Sequence, residues 1–241
     1  MSCCLSKFGQ QVGLQISKRK MEVMTLNVNA PAPVLLDDQA IPSTKTFTYL
    51  SSVVRQDRGA NKDIQSRLSK ARNTVRSLSV VWRSSQYSIK TKLKLYQSCI
   101  LSTLLYGSEC WRITEYDLAK LSSFHTTSLR KIRRIFWPRT ISNRDLLAQC
   151  QQEDIETIIA RKRWRWIGHV LRKDANSITK LAIHLTPEGK RKRGRPETTW
   201  RRTVEVQMKM NHSWGTIQRL ASDRKGWRSF IAALYASWRD G

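Results

Sequence analysis

Three constellations in this sequence carry residue types able to do chemistry. The first is Leu35-Leu36-Asp37-Asp38. An apolar pair followed by two Asp is what polymerases use on a hairpin to hold Mg²⁺, and two-metal chemistry needs a further carboxylate from another strand. The first acidic residue of the chain is Glu22, so no earlier strand supplies one. A turn between two strands, where Asp is at home, is the better reading.

The second is the basic run Lys190-Arg191-Lys192-Arg193-Gly194-Arg195, which lies between Pro187 and Pro196. An extended Arg-Gly-Arg can lie on the floor of a narrow A·T-rich minor groove, with Gly allowing close approach and both guanidiniums meeting the negative potential. Lys190, Arg191 and Lys192 would add phosphate contacts. The same run also reads as a solvated loop or a nuclear-import signal. Phosphate contact with DNA or RNA is the expectation, ahead of A·T preference. Arg201 and Arg202, which follow Trp200, are further candidates for nucleic-acid contact.

The third is Lys162-Arg163-Trp164-Arg165-Trp166, which interleaves cations with indoles and could stack on unpaired bases. On a helix Trp166 joins the stripe of Ile159 and Val170, and Trp164 lies about 200° away from it. The expectation is Trp166 in the core and Trp164 exposed or on a second packing surface, with Arg163, Trp164 and Arg165 as candidate binding residues. His169 reads as an ordinary helix histidine.

Cys3, Cys4, Cys99, Cys110 and Cys150 are odd in number and contain no Cys-x-x-Cys pair. That spacing predicts a reducing intracellular compartment, nuclear or cytoplasmic, with no zinc site and no cofactor. The chain has 241 residues, with 44 Lys plus Arg against 18 Asp plus Glu, a formal charge of +26. Such a surface repels itself unless a polyanion screens it, so nucleic acid or an anionic membrane is the expected partner. An acidic ligand surface is a weaker third choice, and no apolar run is long enough for a membrane span. Residues 161–241 hold 20 Lys plus Arg against 6 Asp plus Glu, so the excess concentrates toward the carboxyl end.

The elements that must position these groups change character near residue 60. Short apolar runs at Glu22–Leu26, Val34–Leu36 and Phe47–Leu50, separated by Asn, Pro, Asp and Ser, predict strands joined by turns. From Asn61 the period becomes helical, with Ile64, Leu68, Ala71, Val75, Leu78 and Trp82 on one stripe and Lys62, Arg67, Lys70, Arg72 and Arg76 on the other face. A second helix runs from Ser88 to a glycine cap at Gly107. A third opens at a Thr114–Asp117 capping box and ends at Trp137-Pro138. A fourth spans Ile155 to Val170, and a short one Ile178 to Leu185. Two more follow, one on Trp200, Val204 and Met208, the other on Trp227, Phe230, Ile231 and Leu234 with Asp223 as amino cap. The fold class is therefore mainly α.

In order along the chain, Gly13-Leu14-Gln15-Ile16 with Lys20, Phe47-Thr48-Tyr49-Leu50-Ser51-Ser52, Leu95-Tyr96-Gln97-Ser98 and Leu105-Tyr106-Gly107-Ser108-Glu109-Cys110-Trp111 resemble the reverse-transcriptase protein of non-LTR (LINE-type) retrotransposons. So do Trp137-Pro138, Ile141-Ser142-Asn143, the segment Arg163 to Arg172, the segment Thr186 to Pro196, and Thr199 to Arg202. The resemblance covers nearly the whole chain and matches the part that follows the polymerase palm.

That resemblance implies a short α/β palm remnant with primer-grip-like strands over 1–60 and a thumb-like helical region over 61–137. A helical region over 138–185, an AT-hook-like connector over 186–196 and carboxyl-terminal helices over 197–241 complete the division. Lys20 would match the family's late-palm lysine, and Phe47 to Ser52, with Phe47, Tyr49 and Leu50 as site residues, the strand pair that grips the primer end. Ser51 stands where the family usually has Gly, and Met21-Glu22 replace a more usual Thr-Lys. The family's catalytic Asp residues precede Gly-Leu-x-Ile, so the chain is expected to bind template-primer, RNA or DNA without its own polymerase activity. The alternatives are a degenerate fragment without function, or an accessory piece whose polymerase activity is completed by a second chain carrying the missing palm.

Overall fold

In a computed structural model of the chain, the structure describes residues 8, 11–13, 17–25, 32–36, 39–49, 52–55, 61–184, 200, 204 and 214–236. The chain divides into two compact units, residues 1–66 and 67–241. The fold is mostly helical, with short antiparallel strands on the amino-terminal side.

In the first unit, β1 (Leu35–Leu36) pairs antiparallel with β2 (Gln39–Ala40), Leu35 opposite Ala40. Asp37-Asp38 lies outside the described residues. β3 (Thr46–Tyr49) pairs antiparallel with β4 (Ser52–Arg55), Phe47 opposite Val54. The apolar periodicity did not give β4, although the resemblance implied a strand pair over Phe47 to Ser52. The expected strand around Glu22–Leu26 reduces to an isolated parallel bridge between Val23 and Ser43. Asp63 fixes β4 by accepting the Val53 N–H at 3.1 Å and the Ser52 hydroxyl at 3.5 Å.

Asp63 sits in the first turn of α1 (Asn61–Ser77), where a carboxylate also suits the helix dipole. Ile64, Leu68, Ala71 and Val75 are buried along α1 as the helical period requires. The stripe does not continue as one helix to Trp82. It breaks at Leu78, and α2 (Ser79–Arg83) starts anew. Thr74 and Ser77 donate their hydroxyls to the carbonyls of Lys70 and Thr74, a bonding that competes with the helix ladder. Trp82 remains buried, its indole N–H on the Val75 carbonyl at 2.9 Å.

Ser88 caps α3 (Ile89–Leu95) by accepting the Thr91 N–H. The chain then widens into a π-helical segment, Tyr96–Leu101, before α4 (Ser102–Leu104). Gly107 adopts φ 74°, the left-handed conformation expected of its glycine, and a 3-10 turn, Ser108–Cys110, follows. The capping box at Thr114 and Asp117 is formed and opens α5 (Glu115–Arg133).

α5 ends four residues before the expected Trp137-Pro138. Arg134 turns left-handed at φ 56°, Ile135 N–H reaches the Arg130 carbonyl and Arg134 N–H the Lys131 carbonyl, a Schellman cap without glycine. The sequence reading did not anticipate α6 (Asn143–Cys150), capped by Ser142 on the Asp145 N–H. α7 (Ile155–Leu171), capped by Asp154, α8 (Ile178–His184), α9 (Trp214–Ser222) and α10 (Arg224–Ala236) complete the described chain. Asp223 caps α10 through the N–H groups of Lys225 and Gly226, as its type predicts. Trp200 and Val204 are helical, and Met208 lies outside the described residues.

α7 is the hub of the second unit, packing against α5, α8, α9, α10 and the 3-10 turn. Its Ala160, Trp164, Ile167 and Leu171 face Ile217, Ala221, Trp227, Ile231 and Leu234. Gly168 lets α10 approach: a Cβ there would stand 2.0 Å from the Trp227 indole nitrogen.

A polar pair is buried beside this core. His125 Nε2 lies 3.1 Å from the Glu153 carbonyl, which can only accept, so Nε2 carries the proton. Nδ1 then accepts the Tyr96 hydroxyl at 2.8 Å. Burial pushes the His125 pKa down to about 4, against weaker upward pulls from the Glu153 carbonyl and Asp154. The folded state thus resists a proton that the unfolded chain takes up near pH 6.5. Stability is expected to be full above about pH 6.5 and to fall by on the order of 3 kcal/mol as pH drops toward 4. Denaturant unfolding across this range should show the acid limb in the native protein and its absence in His125→Gln.

Candidate nucleic-acid interface

In the second unit, α1 and α5 flank a groove that encloses about 510 Å³. Arg72, Val75 and Arg76 come from α1, and Tyr116, Ala119, Lys120, Ser123, Phe124, Thr127, Ser128 and Lys131 from α5. On α5, spacings of four, three, four and four place Tyr116, Lys120, Ser123, Thr127 and Lys131 on one stripe. Val75 and Ser128 form a buried floor, and four cations and the exposed hydroxyls of Tyr116, Ser123 and Thr127 stand around it. No carboxylate lines the groove among the described residues.

The cations are available. Arg72, Arg76 and Lys131 are exposed and make no side-chain hydrogen bond or ion pair with described residues. Lys120 Nζ lies 3.9 Å above the Tyr116 ring, a cation–π contact that holds an exposed phenol at the groove's edge. Four positive groups without a local counterion, next to hydroxyl donors and an aromatic face, suit a phosphodiester backbone.

The residues singled out from the sequence fall elsewhere. Lys190, Arg191, Lys192, Arg193, Gly194, Arg195, Arg201, Arg202 and Leu50 lie outside the described residues. Lys20 is exposed on a 3-10 turn, Lys18–Lys20, in the first unit. Phe47 and Tyr49 share one face of β3 with ring centroids 6.4 Å apart, and Tyr49 is exposed.

The Arg-Trp cluster requires correction. Trp164, expected either exposed or on a second packing surface, takes the second: it is completely buried, packed edge-on against Trp227 with centroids 6.1 Å apart. Trp166, expected in the core, is only half-buried and meets Trp200 at right angles. Arg163 is also buried, its Nη2 donating to the Trp111 carbonyl at 2.9 Å and its Nε to the Glu109 carbonyl at 3.4 Å. The single-stripe reading failed because α7 packs on several sides. Within the cluster only Arg165 is exposed. Arg67, read onto the solvent face of α1, is buried too, its guanidinium 4.7 Å from the Tyr106 ring.

Among the described residues no group of His, Cys, Asp and Glu is arranged to hold a metal ion. Among them no helix is long and apolar enough to cross a membrane.

The chain is 23% identical over 244 residues to an uncharacterized transposon-derived protein of Caenorhabditis elegans, a similarity that covers 92% of this chain and 84% of that one. No family model and no solved structure matches the chain.

Stability separates the buried from the exposed arginine. Arg163→Ala takes the guanidinium donor from the buried Trp111 carbonyl and empties its place in the core, and is expected to cost about 2–4 kcal/mol. Arg165→Ala should change stability by less than about 0.5 kcal/mol. Urea unfolding of the two variants checks the assignment.

Proposed function

We propose that this chain is a retrotransposon-derived, reverse-transcriptase-like protein that binds nucleic acid without polymerising it. The observation that carries this reading is the groove between α1 and α5, cationic and, among the described residues, without a lining carboxylate. The net charge of +26 and the similarity to a transposon-derived protein support it. The ligand is RNA or DNA, and the neutralised groups are phosphates. The groove belongs to the segment that the resemblance assigns to a thumb, the part that grips template-primer. The basic connector Lys190 to Arg195 adds contacts, and a second chain carrying a palm would complete a polymerase. A nuclear or cytoplasmic location fits a nucleic-acid ligand.

Affinity is expected to fall steeply with salt, with a log–log slope of roughly −0.9 for each phosphate neutralised on a duplex. Replacing Arg72 and Arg76 together by Gln should weaken binding across all sequences and make that slope shallower by about 1 to 2. Fluorescence anisotropy with labelled RNA and DNA over a salt series makes the measurement. Absent or salt-independent binding would falsify the reading.

The isolated protein is expected to give no primer extension with Mg²⁺ and deoxynucleotides on an RNA or a DNA template. Template-dependent extension above a heat-denatured control refutes the non-catalytic part.

A further inference from the structure

The connection from α5 to α6 presents Phe136 and Trp137, which are 61% and 89% exposed. An indole of that exposure leaves most of its apolar surface in water, a cost that local packing does not offset. The segment is not a loose tail. The Schellman cap fixes its start, and the Arg139 N–H closes a turn on the Phe136 carbonyl at 3.0 Å. The Arg130 guanidinium ties its far side back to α5, donating to the Ile141 carbonyl at 3.0 Å and to Asn143 Oδ1 at 2.8 Å. Two aromatic rings are therefore held outward on a pinned loop.

The charge around them selects the occupant. Lys131 and Arg134 precede the rings and Arg139 and Arg144 follow, all exposed and without a side-chain hydrogen bond or ion pair to described residues. The nearby carboxylate of Asp145 is engaged by the Ser142 hydroxyl at 2.7 Å. Lys131 also lines the groove, so the loop continues from the end of the same helix wall. Aromatic faces flanked by free cations match unpaired bases joined by phosphates, because every base offers a π-face and every linkage a negative charge.

We infer that the Phe136-Trp137 loop is a stacking platform for single-stranded nucleic acid, with Lys131, Arg134, Arg139 and Arg144 on the flanking phosphates. This rests on the nucleic-acid-binding reading of the groove and adds to it a preference for unpaired bases. A duplex keeps its bases stacked inside and can use the cations but not the rings.

The test compares the native protein with Trp137→Ala and Trp137→Phe on a labelled single-stranded oligonucleotide and on a duplex of the same length, by anisotropy at fixed salt. Trp137→Ala is expected to lose roughly five- to hundredfold in single-strand affinity and to leave duplex affinity unchanged, and Trp137→Phe to recover most of the loss. The exposed position keeps the substitution out of the core, and circular dichroism checks that both variants fold. Equal affinities for native and Trp137→Ala protein, or an equal loss on both oligonucleotides, overturn the platform and leave groove binding standing. Native protein that binds neither oligonucleotide overturns the groove reading beneath it. Binding to anionic vesicles that Trp137→Ala abolishes, with oligonucleotide binding unaffected, overturns the platform in favour of a lipid surface.

Discussion

The second unit depends on a guanidinium placed where a charge is costly. Arg163 is buried in the middle of α7 and donates to main-chain carbonyls of Glu109 and Trp111. Burial pulls its pKa down from the ordinary value, so those acceptors must compensate for lost water. Glu109 in the 3-10 turn and Trp111 just after it give them. Two neighbours use the same turn region: Lys162 Nζ donates to the Leu105 carbonyl at 2.7 Å, and the Trp200 indole to the Glu109 carbonyl at 3.0 Å. One stretch of irregular backbone is thus held by three donors from residues far along the chain.

This arrangement places α7 so that its other side receives α9 and α10. Trp227 donates its indole N–H to the Trp164 carbonyl at 3.1 Å and rests on Gly168, where no side chain intervenes. The Lys and Arg that serve as internal donors are the minority. Arg72, Arg76, Lys131, Arg134, Arg139 and Arg144 stay exposed without counterions among the described residues, so the fold itself does not relieve their mutual repulsion.

Local signals were legible where a short stretch of chain satisfies its own backbone. The Thr114–Asp117 capping box, the left-handed Gly107, the Ser88 and Asp223 caps and the α7 span all follow from residue type and spacing. Helix ends without such residues were not legible. Arg134 and Gln151 take left-handed conformations that their types disfavour, because the contacts after each helix outweigh the local cost. The sequence reading passed over α6: its Ser142 cap on Asp145 is a local signal, but Leu146 and Cys150 alone make a weak apolar stripe. The sequence reading missed the groove: the α5 spacing was read only for its apolar face, and nothing in it pairs Lys120 and Lys131 with Arg72 and Arg76.

By itself the sequence determined the helical class, the positive charge and most helix starts, since these depend on composition and on bonds between near neighbours. Tertiary structure alone decided which cations are internal and which face solvent. Lys162, Arg163 and Arg165 look alike in sequence, and Trp164 and Trp166 differ only by phase. A helix packed on several sides has no single buried stripe, so its periodicity cannot say which indole is covered. Packing against Glu109, Trp111 and Trp227 settles that, because a guanidinium or an indole goes inside only where acceptors and space await it.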